Sequence, residues 1–378
     1  MKIQDLKTPA LILDYDILEE NIKRMQQKAD ENNVKLRPHI KTHKCTEIAR
    51  LQVKSGAIGI TSSTIQEVYS FAHAGFSDIT WAFPFNPAYL EEVFSILKKI
   101  NLGLLIDSIE AFEIIENKSK STGIKPAIWL EIDSGQHRSG IDFTSKNAQE
   151  LANRILKSKH INFVGLLTHA GHAYNAQSVE EVKKIAFEEQ EIILNAKEIL
   201  FNGLPINASI GSTPTISLAD QIKNIDEIRP GNYVFYDYSQ VLLGSCKVED
   251  CALSVLSTIV SINKQANRLI IDAGALSLSK DTGPPQFKNY SSYGMIHTDL
   301  FSKNINQNLR ITNLTQEHGI IACSDESSVI ERYKYGDKVR ILMNHSCLTT
   351  SLFDFYYVVS GDKVIDRWEI LRGRNLSK

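Results

Sequence analysis

From residue 34 to residue 237, short apolar runs alternate with longer segments whose apolar residues recur three and four apart. The runs lie at 34–40, 57–61, 78–83, 102–107, 127–133, 161–169, 206–211 and 227–235. The stretches 65–74, 89–100, 111–120, 147–157 and 179–200 have the spacing of helices with one buried face. Asn86-Pro87 and Asp107-Ser108 are helix-opening signals, and Gly56, Gly75, Gly123 and Gly203 are closing ones. Runs that are apolar throughout, rather than alternating, imply a parallel sheet buried on both faces. Eight of them predict a closed TIM-like (β/α)8 barrel, whose shortest unit lies between Gly211 and Glu227.

After residue 240 the helical period disappears. Segments 253–262, 268–272, 319–323 and 338–343 have strand character, and 353–359 with 363–368 predicts a hairpin across Ser360-Gly361-Asp362. The pattern therefore divides the chain into an α/β barrel over 15–240 and a C-terminal β domain over 241–378. The N-terminal strand within 1–14 is expected to pair with that β domain.

A length of 378 residues suits two domains, and 43% hydrophobic with 23% charged residues is an ordinary globular balance. A net charge of −2 gives no electrostatic footprint for nucleic acid or an anionic membrane. The N-terminus lacks the apolar core of a signal peptide, no stretch is long enough to span a bilayer, and five widely spaced cysteines suggest reduced thiols. Cys246 and Cys251 lack zinc-knuckle spacing. A cytoplasmic location is expected.

Two short segments carry the candidate chemistry. In Arg37-Pro38-His39-Ile40-Lys41-Thr42-His43-Lys44, an extended backbone would place His39, Lys41 and His43 on one face at the end of the first barrel strand. Crowding by Arg37, Lys44 and two imidazoles would disfavour the ammonium form, the condition for an imine-forming amine. The spacing alone equally suits a basic strand end facing solvent or an anion. Near the C-terminus, Asn344-His345-Ser346-Cys347 follows a strand. If the chain stays extended, His345 and Cys347 project the same way and can share one metal ion, with zinc favoured by a thiolate–imidazole pair. An isolated His-x-Cys is also a common accident.

The lysine segment resembles the Pro-His-x-Lys-Thr-His-Lys signature of the D-threonine aldolase and eukaryotic-type D-serine dehydratase family, alanine-racemase-like pyridoxal phosphate enzymes of fold type III. The likeness covers nearly the whole chain. It runs through Thr8-Pro9, Asp133-Ser134-Gly135-Gln136-His137-Arg138-Ser139-Gly140 and Thr168-His169-Ala170-Gly171-His172-Ala173-Tyr174. It continues through Gly211-Ser212-Thr213-Pro214-Thr215, Arg229-Pro230-Gly231-Asn232-Tyr233, Gln316-Glu317-His318-Gly319 and Asn344-His345-Ser346-Cys347.

The resemblance implies that Lys41 holds pyridoxal 5'-phosphate as a Schiff base, that Ser212, Thr213, Gly231 and Asn232 contact its phosphate, and that Tyr174 borders it. Arg138 would stabilise the phenolate oxygen, although an ion pair with Asp133 is open to it as well. His169 or His172 would act as acid or base, unless each is only a satisfied loop histidine. No carboxylate for the pyridine nitrogen is evident.

The metal motif implies His345 and Cys347 as ligands to a divalent ion, Zn²⁺ ahead of Mn²⁺ or Mg²⁺. Cysteine in place of a carboxylate favours a D-serine dehydratase over a D-threonine aldolase or a D-3-hydroxyaspartate lyase. A small D-amino acid substrate and a homodimer are also implied. A non-catalytic cofactor carrier would lack the second domain and the metal pair, and a racemase would have no need of the metal.

Overall fold

The computed structural model describes residues 1–287, 290–323 and 331–372. Two compact units emerge, one of residues 24–231 and one of 1–23 with 232–372.

In the first unit all strand pairings are parallel. The strand order is Lys35–Leu36, Glu227–Ile228, Asn207–Ile210, Asn162–Leu167, Ala127–Glu131, Asn101–Ile106, Asp78–Pro84, Ile60–Ser62. The two ends meet through a parallel bridge between His39 and Thr61, with the Thr61 N–H donating to the Pro38 carbonyl at 2.9 Å. The ring is thus closed, as eight apolar runs predict. Close strand contact requires Gly165, where a Cβ would stand 2.0 Å from the Asn207 carbonyl oxygen. Ser108, Ser145 and Ser178 cap the helices Ile109–Thr122, Lys146–Lys157 and Val179–Phe201, each accepting a backbone N–H of the first turn. Asn202, and not Gly203, takes the left-handed position that ends the last of these.

The second unit holds a nine-stranded sheet ordered Arg268–Ile271, Gly319–Cys323, Ile305–Leu314, Met295–His297, Lys338–Leu342, Leu253–Asn263, Ala10–Asp14, Phe355–Ser360, Lys363–Glu369. Leu253–Asn263 also pairs with Arg268–Ile271, so six of the strands close on themselves and shelter their edges. The N-terminal strand lies between Leu253–Asn263 and Phe355–Ser360. Its Ile12 packs with Ile3, Leu6, Leu256 and Val359.

The units divide at 23/24 and 231/232, not at the 14/15 and 240/241 read from hydropathy. Hydrogen bonds explain the shift. Asn21 donates to the carbonyls of Val234 and Asp250, and the N–H groups of Tyr238 and Ser239 donate to Met343 and Asn344, which holds both segments with the β unit.

Candidate active site

Lys41 does not stand on an extended strand. Ile40–Thr42 form a 3-10 turn, with His39 as its N-cap. The Nδ1 of His39 accepts the Lys41 N–H at 3.4 Å, so its Nε2 carries the proton and can donate to Ser63 Oγ, also 3.4 Å away. The turn separates His43 from His39 and Lys41, which were expected to share one face with it. His43 is buried elsewhere, accepting the Cys45 N–H and bonding Gln52. Arg37 is committed to Asp78 and Glu227, and Lys44 leans to Glu67 at 3.8 Å. Of the groups nearest Lys41 in sequence, only His39 stays beside it.

A cleft at the strand ends is lined by Lys41, His39, His169, Arg138, Arg229 and Glu131, with Ala82, Leu105 and Leu167 as its apolar wall. His169 Nδ1 faces the Gly211 carbonyl oxygen at 3.3 Å. A carbonyl can only accept, so this contact puts the proton on Nδ1 and leaves a lone pair on Nε2. Burial, followed by the charges of Lys41 and Arg138, holds the His169 pKa well below its ordinary value; burial and Lys41 do the same for His39. Both rings are neutral near pH 7.

Arg138 is free of Asp133, whose carboxylate accepts the Gly135 and His137 N–H groups and contacts the His137 ring at 2.7 Å. Among the described residues, the Arg138 guanidinium has no hydrogen bond or ion pair and is left facing the cleft.

Arg229 and Glu131 were not singled out from sequence. Arg229 is buried and donates to Ser209 Oγ and to the carbonyls of Thr168 and Ile210. Glu131 accepts from Ser139 through one oxygen, while the other is buried without a partner among the described residues. Burial, reinforced by Asp107 and opposed by Ser139, raises its pKa to about 6. Arg229 opens the motif Arg229-Pro230-Gly231-Asn232-Tyr233 and Glu131 ends the strand Ala127–Glu131, so both positions could have been marked from sequence.

His172 and Tyr174 lie on the 3-10 segment Gly171–Asn175 and do not line the cleft. The His172 ring stands near Gly135, and its Nδ1 is buried without a partner among the described residues. Tyr174 is half-buried.

Ser212 and Thr213 are buried where the strand Asn207–Ile210 passes into the helix Thr213–Leu218, and Gly231 follows the neighbouring strand Glu227–Ile228. The successive N–H groups of Gly231 and Asn232 are donated to no other described residue. Orphan donors beside buried hydroxyls at adjacent strand ends suit a phosphate. The Asn232 side chain serves a different purpose: its amide donates to Asp237 at 2.7 Å and Ser346 at 2.9 Å, and lies 3.7 Å from Cys347 Sγ. Only its backbone remains for the phosphate role.

The second unit carries the His345–Cys347 pair. The extended backbone expected there is a helix start: His345 is the N-cap of Ser346–Thr350, which puts Cys347 in the first turn. The two side chains nevertheless meet in a hydrogen bond. His345 Nδ1 lies 3.0 Å from Asp281 Oδ2, which fixes the proton on Nδ1 and leaves Nε2 as a ligand. Asp281 is anchored in turn by the Gly283 N–H, and its carbonyl accepts from Asn344. Asp237 accepts the Ser346 N–H at 2.9 Å. Burial disfavours a charged His345, but the bonds to Asp281 and Cys347 outweigh it and raise the pKa well above the ordinary value. A metal would displace that proton. No group of three or more His, Cys, Asp or Glu side chains is arranged for a metal among the described residues; the imidazole and thiol of His345 and Cys347 would hold a divalent ion only with small ligands completing its shell.

The alanine racemase N-terminal domain matches residues 13–239, and the putative serine dehydratase domain matches 252–359. The chain is 36% identical to the D-threo-3-hydroxyaspartate dehydratase of Delftia sp. (strain HT23), over 97% of this chain and 98% of the relative. It is 33% identical to the D-serine dehydratase of Dictyostelium discoideum, over 96% of each. A solved structure of a D-threo-3-hydroxyaspartate dehydratase with a cysteine-to-alanine substitution, in the metal-free form, superimposes with a TM-score of 0.93. It shares 35% identity, covering 99% of this chain and 100% of that one.

Proposed function

Because this chain belongs to the family of alanine-racemase-like lyases that contains the D-serine and D-threo-3-hydroxyaspartate dehydratases, we propose that it is a pyridoxal-phosphate- and metal-dependent dehydratase of D-3-hydroxy amino acids. D-Serine, giving pyruvate and ammonia, is the leading substrate. The observation that carries this reading is the pairing of His345 with Cys347 and Asp281 in a chain whose barrel also presents Lys41 to a cationic cleft.

Lys41 would hold the cofactor, Arg138 would stabilise its phenolate oxygen, and Ser212, Thr213 and the N–H groups of Gly231 and Asn232 would receive its phosphate. Bound there, pyridoxal phosphate supplies an electron sink for negative charge at the substrate Cα. A divalent ion on His345 and Cys347, zinc by the softness of the thiolate, supplies a Lewis acid for the leaving β-hydroxyl. The Lys41 amine would be the base that receives the substrate α-proton on Nζ. His169, neutral and with its Nε2 lone pair available, accepts or relays a proton inside the cleft. Glu131, titrating near pH 6, is the ionisable carboxyl beside Arg138. His172 lies away from these groups, so His169 is the stronger acid–base candidate. The active species is proposed to be a homodimer. No helix among the described residues is long and apolar enough to cross a membrane.

Two measurements test this reading. Purified enzyme is expected to release pyruvate and ammonia from D-serine, and to stop after chelation while the absorbance of its bound cofactor persists. Glycine and acetaldehyde from D-threonine, with no reaction on D-serine, would replace the dehydratase with an aldolase. The full-length similarity to the Delftia enzyme favours D-threo-3-hydroxyaspartate as the second substrate to assay.

Asp281→Asn is expected to lower metal affinity by roughly 10–100-fold, the usual penalty for losing a carboxylate that orients a ligating imidazole. Competition with a coloured chelator reads this directly. Unchanged affinity would mean that Asp281 does not position His345.

A further inference from the structure

The nine-stranded sheet carries a second cleft, of about 390 Å³, with walls formed by His297, Thr298, Leu300, Asn306, Arg332 and Arg340. Arg340 belongs to the strand Lys338–Leu342 and stands opposite Leu256. It is only 6% exposed. Its Nε donates to Ser254 Oγ at 2.6 Å, and among the described residues it makes no other hydrogen bond and no ion pair. Asp14 is the carboxylate that acts on it, at longer range. A guanidinium has five N–H donors, so both terminal nitrogens remain for whatever enters the cleft. A buried guanidinium that has only a distant carboxylate and no ion pair among the described residues is unfavourable unless something completes it.

The other charged groups of the cleft are already engaged. Asp299 accepts the N–H groups of Phe301 and Ser302, each at 2.8 Å. Asp337 accepts the Lys334 N–H at 2.7 Å. Lys338 Nζ donates to the carbonyls of Gln4 and Leu6. Asp299 and Asp337 remain part of the lining, and the cationic side chains of Arg340, Lys338 and exposed Arg332 outnumber them among the described residues. His297 is buried beside them, and neither ring nitrogen has a hydrogen bond of normal geometry, although the backbone of Ser302 and Asn304 lies close. Burial, then the charge of Arg340, lowers its pKa to about 3. It is therefore a neutral ring with an N–H to offer.

We propose that this cleft binds a small carboxylate or phosphate anion, received by the Arg340 guanidinium with His297 and Arg332 as supporting donors. The site belongs to the β unit alone and does not depend on which reaction the enzyme catalyses.

The experiment uses cofactor- and metal-loaded enzyme, so that the phosphate contacts of the barrel are filled. Inorganic phosphate and, in a separate arm, pyruvate are titrated calorimetrically against chloride at equal ionic strength. Saturable binding of one anion per chain is expected in at least one arm, and the preferred arm identifies the source. Arg340→Gln should weaken that binding by about tenfold or more, the worth of a charge-assisted hydrogen bond. Should Arg340→Gln fail to fold, Arg332→Ala and His297→Gln decide, each with a smaller but measurable loss expected. No saturable binding in either arm, or affinity unchanged across the variants that fold, would overturn the proposal.

Discussion

Lys41→Ala is expected to abolish turnover, a loss of roughly 10⁴-fold or more if, as proposed, the residue both anchors the cofactor and moves the α-proton. Borohydride reduction of the wild-type enzyme should fix the cofactor on the peptide containing Lys41, and the variant should yield no such adduct. Lys44→Ala is the control. Lys44 leans toward Glu67 at 3.8 Å and takes no part in lining the cleft, so its loss should leave the adduct and most of the activity. Mapping of the reduced cofactor to Lys44 would refute the assignment. The expectation is specific to Lys41 because it lines the cleft together with Arg138, Arg229 and His169.

Arg37→Met is expected to destabilise the folded protein by about 3–5 kcal/mol, the cost of leaving a buried partner charge uncompensated. Arg37 Nε lies 2.6 Å from Glu227 Oε2, and both side chains are nearly inaccessible, at 8% and 6%. Nη1 contacts Asp78 at 2.6 Å, but that carboxylate is 38% exposed and contributes less. Glu227 also accepts from Ser209, which in turn accepts from Arg229, so the loss should propagate to a residue of the cleft. Urea denaturation measures the change as a lower midpoint with an unchanged slope. Adding Glu227→Gln should recover part of the loss, since the orphaned charge is then removed. A change below about 1 kcal/mol would show that water reaches the pair.

The alternation of apolar runs with amphipathic segments was enough to predict the barrel, because burial on both faces is recorded in composition at every strand. The β-rich texture after residue 240 likewise predicted the second unit, and the ordered motifs placed Lys41, Arg138, Ser212, Thr213, Gly231, His345 and Cys347 among the candidates. What hydropathy could not supply was the direction of side chains in loops and turns. A 3-10 turn moves His43 away from Lys41, and a helix start, not a strand, brings His345 and Cys347 together.

No role for Glu131 or Arg229 follows from hydropathy, because a single inward charge at the end of an apolar strand has no periodic signature. Asp281, which fixes the tautomer of His345, lies 64 residues from it, and Asp237, which pins Ser346, lies 109 residues away. Arg37 meets Glu227 across 190 residues. A local pattern tells which face of an element is buried, whereas a charged group is oriented by the partner that chain closure brings beside it. The barrel was therefore legible in the sequence, and the partners that set each proton were decided by the tertiary structure alone.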